Sequence, residues 1–268
     1  MLKKLQTTLL LMFLLSGSAI CAENSWYCEQ NNIFKDGQEG TTPVDNPVKG
    51  PQLRNTFIAG VGNQSYYIYV PYSYTSNQPT ALLIALHGAA GPGNAPVAAQ
   101  SVRNSWAQIA ENERVIVIAQ IATGPTSGSW IPFTAEAIMD TLIVETASEY
   151  NIDLNKLYGW GFSAGGHVMH EFALRRANEF AAYAVSAGVL AGYAGTNMPL
   201  LAARNIPVDI HVGNSDSLLI HAQADWQRFI NAGWSDQQNL QLSVFTGPHI
   251  YTSSHLQEMW DFMCAFEL

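Results

Sequence analysis

The sequence predicts a single α/β domain whose mostly parallel central sheet is covered by helices on both faces. The chain has 268 residues, 48% of them hydrophobic and only 12% charged, so it can bury one sizeable core. From residue 81 onward, short apolar runs alternate with longer helical patterns. One strand-to-helix junction carries the pentapeptide Gly161-Phe162-Ser163-Ala164-Gly165. No internal repeat or second-domain linker interrupts this pattern.

The first 22 residues predict a secretory signal peptide. Lys3 and Lys4 supply a positively charged start, residues 9–15 are apolar, and small residues precede a cleavage position after Ala22 or Ala19. The apolar run is too short to span a membrane. We therefore expect a secreted or periplasmic protein without stable membrane insertion.

The mature chain is expected to begin with a polar segment. Residues 23–55 are rich in Gly, Pro, Asn and Asp, which indicates an extended arm ahead of a folded domain at 56–268. Removal of the signal peptide takes Cys21 with it and leaves Cys28 and Cys264. Two remaining cysteines in an exported protein predict one disulfide, with two free thiols as the alternative.

The elements of the domain follow in a regular order. Residues 56–70 carry two strand-like runs around a glycine-containing turn, which predicts an antiparallel hairpin. Short runs rich in apolar residues indicate strands at 81–86, 115–119, 157–162, 181–186, 207–212 and 240–245. Helices are predicted at 97–112, 134–150, 164–177, about 221–233 and 254–267. Strands alternating with helices imply a parallel sheet.

Charge and motif content exclude several classes of function. The formal charge of −9 becomes −11 without Lys3 and Lys4, which argues against a nucleic-acid partner and an anionic membrane surface. His167-Val-Met-His170 has the spacing of two metal ligands, but nothing nearby completes a ligand set. Gly91-Pro-Gly93 lacks the lysine of a phosphate-binding loop. We expect neither a metal nor a cofactor, and no feature predicts the oligomeric state.

Ser163 is the candidate nucleophile. The glycines two positions before and after it allow a strand and a helix to approach closely while the serine projects from a strained turn. The strand at 157–162 and the helix at 164–177 provide that setting. The alternative is a glycine-rich turn that holds an ordinary serine.

A serine nucleophile needs a base, usually His, oriented by a carboxylate. In this architecture the acid and then the base follow the serine along the chain. Asp216 comes directly after the strand at 207–212 and is the candidate acid, although an Asp there could also cap the next helix. His249 follows the last strand and is the candidate base, with His255 as its rival.

The reaction also needs donors for a developing oxyanion. The backbone N–H of Ala164, directly after the nucleophile, is one candidate, and that of Ala89 in the loop after an early central strand is the second. His87 and Gly88 of that loop are candidate substrate-binding residues. Trp130, if exposed, would line an acyl or aromatic pocket, and packing into the core is the alternative.

Six short motifs follow one another along the chain: Tyr67-x-Tyr69-Val-Pro71, Leu86-His-Gly88, Tyr150-Asn-Ile-Asp153, Gly161-Phe-Ser-Ala-Gly-Gly166, Gly213-x-x-Asp216 and Trp260-x-Phe262. In this order they resemble the esterase family of polyhydroxybutyrate depolymerases and feruloyl esterases. The resemblance implies an α/β-hydrolase fold, secretion, cleavage of carboxylic esters, and a triad of Ser163, Asp216 and His249. The chain has Gly247-Pro248-His249 where the family usually has Gly-Gly-His, or Gly-His with a following Trp. Because of this departure, His255 stays the alternative candidate for the base.

We expect an exported serine esterase that works through an acyl-enzyme. Its substrates would be soluble acyl or feruloyl-type esters, or hydroxyalkanoate oligomers, because no polymer-adsorbing domain follows the last predicted helix. The same triad could serve a serine peptidase or a lipase. A non-catalytic binding protein of the same fold is the alternative from another class.

Overall fold

A computed structural model describes residues 46–125 and 128–268 of the chain. The predicted signal peptide, the arm up to residue 45 and Cys28 lie outside the described residues. Cys264 is exposed and follows the last helix directly. The disulfide between Cys28 and Cys264 therefore stays a prediction.

Eight strands form one sheet. They are β1 (Gly50–Ile58), β2 (Gly62–Val70), β3 (Thr80–Leu86), β4 (Ile116–Gln120), β5 (Ile152–Phe162), β6 (Ala182–Ser186), β7 (Val208–Gly213) and β8 (Leu240–Phe245). Their spatial order is β1-β2-β4-β3-β5-β6-β7-β8. The pairs β1–β2 and β2–β4 are antiparallel, and all other neighbouring pairs are parallel. The predicted mostly parallel sheet is confirmed.

Helices cover both faces of the sheet. They are α1 (Ala95–Glu113), α2 (Pro132–Glu149), α3 (Ala164–Arg175), α4 (Met198–Leu201), α5 (Leu219–Asn231) and α6 (Ser253–Met263), with a short 3-10 helix at Leu190–Gly192. The apolar sides of α1 and α6 pack on one face, and those of α2, α3 and α5 pack on the other. Within the described ranges, no helix combines the length and apolar character needed to cross a bilayer.

The hairpin begins earlier than the sequence predicts. β1 starts at Gly50, so residues 50–55 belong to the sheet and not to an arm. The strand was missed because it lies at the sheet edge, where Leu53 and Phe57 are exposed and no apolar face develops. Arg54 instead donates from Nη2 to Glu149 Oε1 of α2 at 2.9 Å. A partner 95 residues away leaves no local pattern in the sequence.

The core contains a fully buried histidine whose protonation opposes folding. His170 Nδ1 lies 3.0 Å from the hydroxyl of Tyr183, and burial lowers its pKa from 6.5 to about 3. At a pH between these two pKa values, His170 is protonated in the unfolded chain and neutral in the folded chain. Stability is therefore expected to fall as the pH falls below 6.5, by up to about 1.4 kcal/mol per pH unit from this residue.

This pH dependence can be measured by urea unfolding at several pH values between 7.5 and 4.5. We expect His170→Asn, whose amide oxygen can still accept from Tyr183, to be less stable at neutral pH but to show a shallower decline on acidification. The buried carboxyl groups titrate in both proteins, so the difference in slope belongs to His170. Parallel curves would contradict the prediction.

Candidate active site

Ser163 occupies a strained turn between β5 and α3. Its backbone has φ of 53° and ψ of −120°, a conformation that a residue with a Cβ rarely adopts. Two backbone hydrogen bonds hold it there: Ser163 N–H donates to Ser186 O at 2.8 Å, and His167 N–H donates to Ser163 O at 3.0 Å. The side chain is partly exposed. The turn therefore presents the hydroxyl at the carboxyl edge of the parallel strands.

The two glycines of the pentapeptide allow this turn to pack. A Cβ on Gly161 would overlap the carbonyl oxygen of Gly165, and a Cβ on Gly165 would overlap that of Leu86 at the end of β3. Any side chain at either position would push α3 away from the sheet. The two glycines are therefore needed for the close packing of strand and helix, which is the reason the pentapeptide predicts this turn.

Asp216 lies in the loop after β7, and its side chain is wholly buried. Oδ1 accepts from the N–H of Leu218 at 2.9 Å, and Oδ2 lies 2.7 Å from His249 Nδ1. Both carboxylate oxygens are therefore held in place, and the orientation of the imidazole is set by an acid that solvent does not screen.

The loops that carry acid and base are tied together by backbone contacts. Ser215 N–H donates to Gly247 O at 3.0 Å, and Gly247 N–H donates to the Asn214 side-chain oxygen at 3.2 Å. A side chain on Gly213 would overlap the carbonyl oxygens of Gly247 and Pro248. Close approach of the two loops thus depends on a glycine at position 213.

The imidazole of His249 lies beside the nucleophile. Its ring centroid is 4.9 Å from that of Phe162, the residue before Ser163. The carboxylate of Asp216 can only accept, so the proton of the neutral ring is on Nδ1 and Nε2 is free to act as a base. The side chain is 40% exposed, so solvent and substrate can reach it.

His255, the rival base, is placed elsewhere. It lies in the first turn of α6, where its N–H donates to the Thr252 hydroxyl at 3.3 Å. Its ring packs on Phe245 at a centroid distance of 4.1 Å and lies 5.9 Å from that of His211. Burial lowers the pKa of His255. Among residues 46–125 and 128–268, Asp216 contacts His249, whereas His255 has no hydrogen bond to a carboxylate.

The two candidate oxyanion donors are the backbone N–H groups of Ala164 and Ala89. Ala164 is the first residue of α3, so its N–H has no acceptor within the helix. Ala89 is exposed, and within the described ranges its N–H meets no acceptor. A Cβ on Gly88 would lie 3.2 Å from Ser163 Cβ, which shows how closely this loop approaches the nucleophile.

His87 and Trp130 support the loop from inside, and the expectation of an exposed Trp130 is wrong. They are only 1% and 4% exposed. His87 Nδ1 donates to Gly88 O at 2.6 Å, its Nε2 accepts from Ala122 N–H at 3.1 Å, and Trp130 Nε1 donates to His87 O at 2.8 Å. Burial lowers the pKa of His87, which keeps Nε2 free to accept. These buried side chains position the loop and do not face a substrate.

Two side chains near Ser163, the partly exposed His167 and the exposed Tyr193, are absent from the predicted site residues. His167 lies one helical turn after the serine, and Tyr193 packs beside it with ring centroids 6.2 Å apart. The sequence offered His167 only as half of an incomplete metal motif. Within the described part of the chain, no group of three or more His, Cys, Asp and Glu side chains could hold a metal ion.

Sequence comparisons identify relatives named as esterases. No model of a known protein family matches the chain. The probable feruloyl esterase C of Aspergillus oryzae is 30% identical over 155 residues, which cover 57% of this chain and 56% of that protein. A bifunctional acetylxylan esterase/xylanase of Neocallimastix patriciarum is 25% identical over 229 residues, covering 74% of this chain and 32% of that protein. The chain thus spans about half the length of the feruloyl esterase relatives, and the predicted resemblance is confirmed.

Solved structures show the fold. A ferulic acid esterase superposes with a TM-score of 0.62 at 14% identity, covering 80% of this chain and 96% of that one. A ferulic acid esterase of Anaeromyces mucronatus gives 0.60 at 13% identity over 84% and 94%. An S-formylglutathione hydrolase of Agrobacterium tumefaciens gives 0.58 at 14% identity over 82% and 98%. The chain has the α/β-hydrolase fold that the resemblance implies.

Proposed function

We propose that the chain is an exported serine esterase that cleaves carboxylic esters through an acyl-enzyme. The observation that carries the proposal is the contact of 2.7 Å between Asp216 Oδ2 and His249 Nδ1, beside a serine held at φ of 53°. A projecting hydroxyl, a buried acid and an oriented imidazole, in this chain order, are the parts of a serine hydrolase.

The reaction proceeds in two halves. Ser163 Oγ attacks the ester carbonyl while His249 Nε2 takes its proton, and the N–H groups of Ala89 and Ala164 stabilise the tetrahedral oxyanion. Collapse breaks the bond to the alcohol, which leaves with the proton from His249, and an acyl group remains on Ser163. Water, deprotonated by His249, attacks the acyl group, and the acid departs as the proton returns to Ser163. Asp216 stabilises the transient imidazolium throughout.

The substrate class comes from the names of the relatives. Feruloyl and acetylxylan esterases are among them, which favours soluble esters of hydroxycinnamic or short acyl acids over peptides. Hydroxyalkanoate oligomers, suggested by the sequence motifs, belong to the same chemical class. A predicted signal peptide supports export.

Two measurements test this function. Labelling with a fluorophosphonate, which reacts only with an activated serine, is expected for the wild type and not for Ser163→Ala. Turnover is then measured on 4-nitrophenyl acetate, 4-nitrophenyl butyrate and methyl ferulate, with a peptide 4-nitroanilide as the matched amide. We expect ester hydrolysis without amide hydrolysis. A folded protein that is neither labelled nor active would point to a non-catalytic binding protein.

Asp216→Asn is expected to lower ester turnover by about four orders of magnitude. The amide cannot hold the imidazole with its proton on Nδ1, so Nε2 is no longer presented as a base. The variant should fold normally, because the amide oxygen can still accept from Leu218 N–H. Steady-state kinetics and circular dichroism check both parts. A loss of only a few fold would assign the orienting role to another carboxylate.

A further inference from the structure

His167 lies in the first turn of α3, directly after the turn that carries Ser163. Its N–H donates to Ser163 O at 3.0 Å. Its ring lies near His249 and packs beside Tyr193, with ring centroids 6.2 Å apart. His167 is partly exposed, whereas Gly166 and Val168 on either side are buried. A second imidazole therefore borders the space in front of Ser163.

The proton of this imidazole has a fixed place. Nδ1 of His167 accepts from the N–H of Val189 at 2.9 Å, so the neutral ring carries its proton on Nε2. Burial, together with nearby His249, lowers the pKa of His167, so the ring stays neutral around pH 7. Within residues 46–125 and 128–268, the Nε2–H group has no acceptor. Nε2–H is therefore a preformed hydrogen-bond donor that is available to an acceptor on the substrate.

The surroundings determine which edge of the ring is open. Val189 covers Nδ1, and Gly192 lies so close that a Cβ there would overlap Cγ, Cβ and Cδ2 of His167. These contacts lie on the Nδ1, Cγ and Cδ2 side of the ring and leave the Cε1–Nε2 edge as its open side. Next to it, the Tyr193 hydroxyl donates to Trp130 O at 3.3 Å, which leaves its oxygen free to accept. His167 and Tyr193 thus offer one donor and one acceptor side by side.

We infer that His167 is a specificity residue that donates a hydrogen bond from Nε2 to an oxygen of the substrate close to the scissile carbonyl. The chemistry that fits the pair is a hydroxyl group, which can accept from His167 and donate to Tyr193. It can belong to the acid or to the alcohol portion of the ester. This inference rests on the proposed esterase function and names the substrate feature that the site selects.

Matched ester pairs test the inference by kinetics. The acid side is tested with ethyl 3-hydroxybutyrate against ethyl 3-methylbutyrate, and the alcohol side with 2-hydroxyethyl butyrate against propyl butyrate. In each pair a hydroxyl replaces a methyl group of similar size. We expect the wild type to favour the hydroxylated ester of one pair by about tenfold or more in kcat/KM. His167→Leu should bring that ratio to within about twofold of one.

Two conservative variants separate donation from a purely structural role. In His167→Asn the amide oxygen can replace Nδ1 as acceptor for Val189, but no donor reaches the position of Nε2. In His167→Gln the amide N–H reaches that position, although the contact with Val189 is lost. We expect Gln to restore part of the selectivity and Asn to restore none. Equal losses on both esters of each pair, or an unchanged ratio in His167→Leu, would overturn the inference.

A binding measurement makes the outcome independent of turnover. In Ser163→Ala protein labelled with nitrogen-15 at histidine, the His167 signal, assigned by its loss in His167→Leu, is followed during titration. We expect 3-hydroxybutyrate or ethylene glycol to shift it, and 3-methylbutyrate and 1-propanol to leave it unmoved. Absence of ester hydrolysis by the wild type would contradict the proposed function alone. Absence of any hydroxyl-dependent shift would contradict the role of His167.

Discussion

Ser163→Ala is expected to lower ester turnover by about six orders of magnitude while the protein remains folded. The acyl group has no other oxygen on which to form, and the members of a triad act as a unit, so removal of one removes most of their joint effect. Residual activity should come from the oxyanion donors alone. Alanine retains the Cβ of serine, so the strained turn at φ of 53° is changed as little as a substitution allows.

Ser163→Gly provides the matched control for strain. Glycine adopts a positive φ without steric cost, so this variant should be as inactive as Ser163→Ala but more stable, by about 1 kcal/mol. Burst kinetics on 4-nitrophenyl butyrate measure the activity of each purified variant, and thermal unfolding measures its stability. Turnover near the wild-type rate in either folded variant would remove Ser163 from the mechanism.

The sequence predicts the centre of the sheet well, and it singles out Ser163 as the candidate nucleophile, because the signals there are local. The parallel strands are short apolar runs, as burial on both faces of a sheet requires, and a helical pattern follows most of them before the next strand. The pentapeptide is recognisable in the sequence because its turn requires glycine at positions 161 and 165, where a side chain would collide with backbone. Chain order then leads to Asp216 and His249.

The remaining features depend on partners that are distant in sequence. Trp130 is buried, and its indole donates to the carbonyl of His87, 43 residues away. The residues next to Trp130 in the sequence do not indicate that hydrogen bond. The role inferred for His167 depends on Val189, whose N–H sets the tautomer of the imidazole, whereas the sequence shows His167 only as one half of an incomplete metal motif. Contacts between residues so far apart in sequence can be identified only in the folded structure.

The choice between the two candidate bases depends on the loops of the last strand. His249 lies in the loop after β8, where the contact of Gly247 with Ser215 holds that loop against the loop carrying Asp216. His255 lies beyond this loop, on α6, with its ring against Phe245. Both imidazoles pack on an aromatic ring, but of the two, within the described residues, His249 is the one that contacts a buried carboxylate. The geometry favours His249 as the base.

His249→Ala is accordingly expected to cost as much turnover as Ser163→Ala, because without the imidazole the hydroxyl keeps its proton and the leaving alcohol receives none. His255→Ala should stay within a few fold of the wild-type rate and instead lower the melting temperature, since it removes packing on Phe245. Both variants are compared on 4-nitrophenyl butyrate, with fluorophosphonate labelling as a second readout. Added imidazole should restore part of the activity of His249→Ala by filling the vacated space. If instead His255→Ala were inactive and His249→Ala active, His255 would be the base, and Asp216 would not orient the catalytic imidazole.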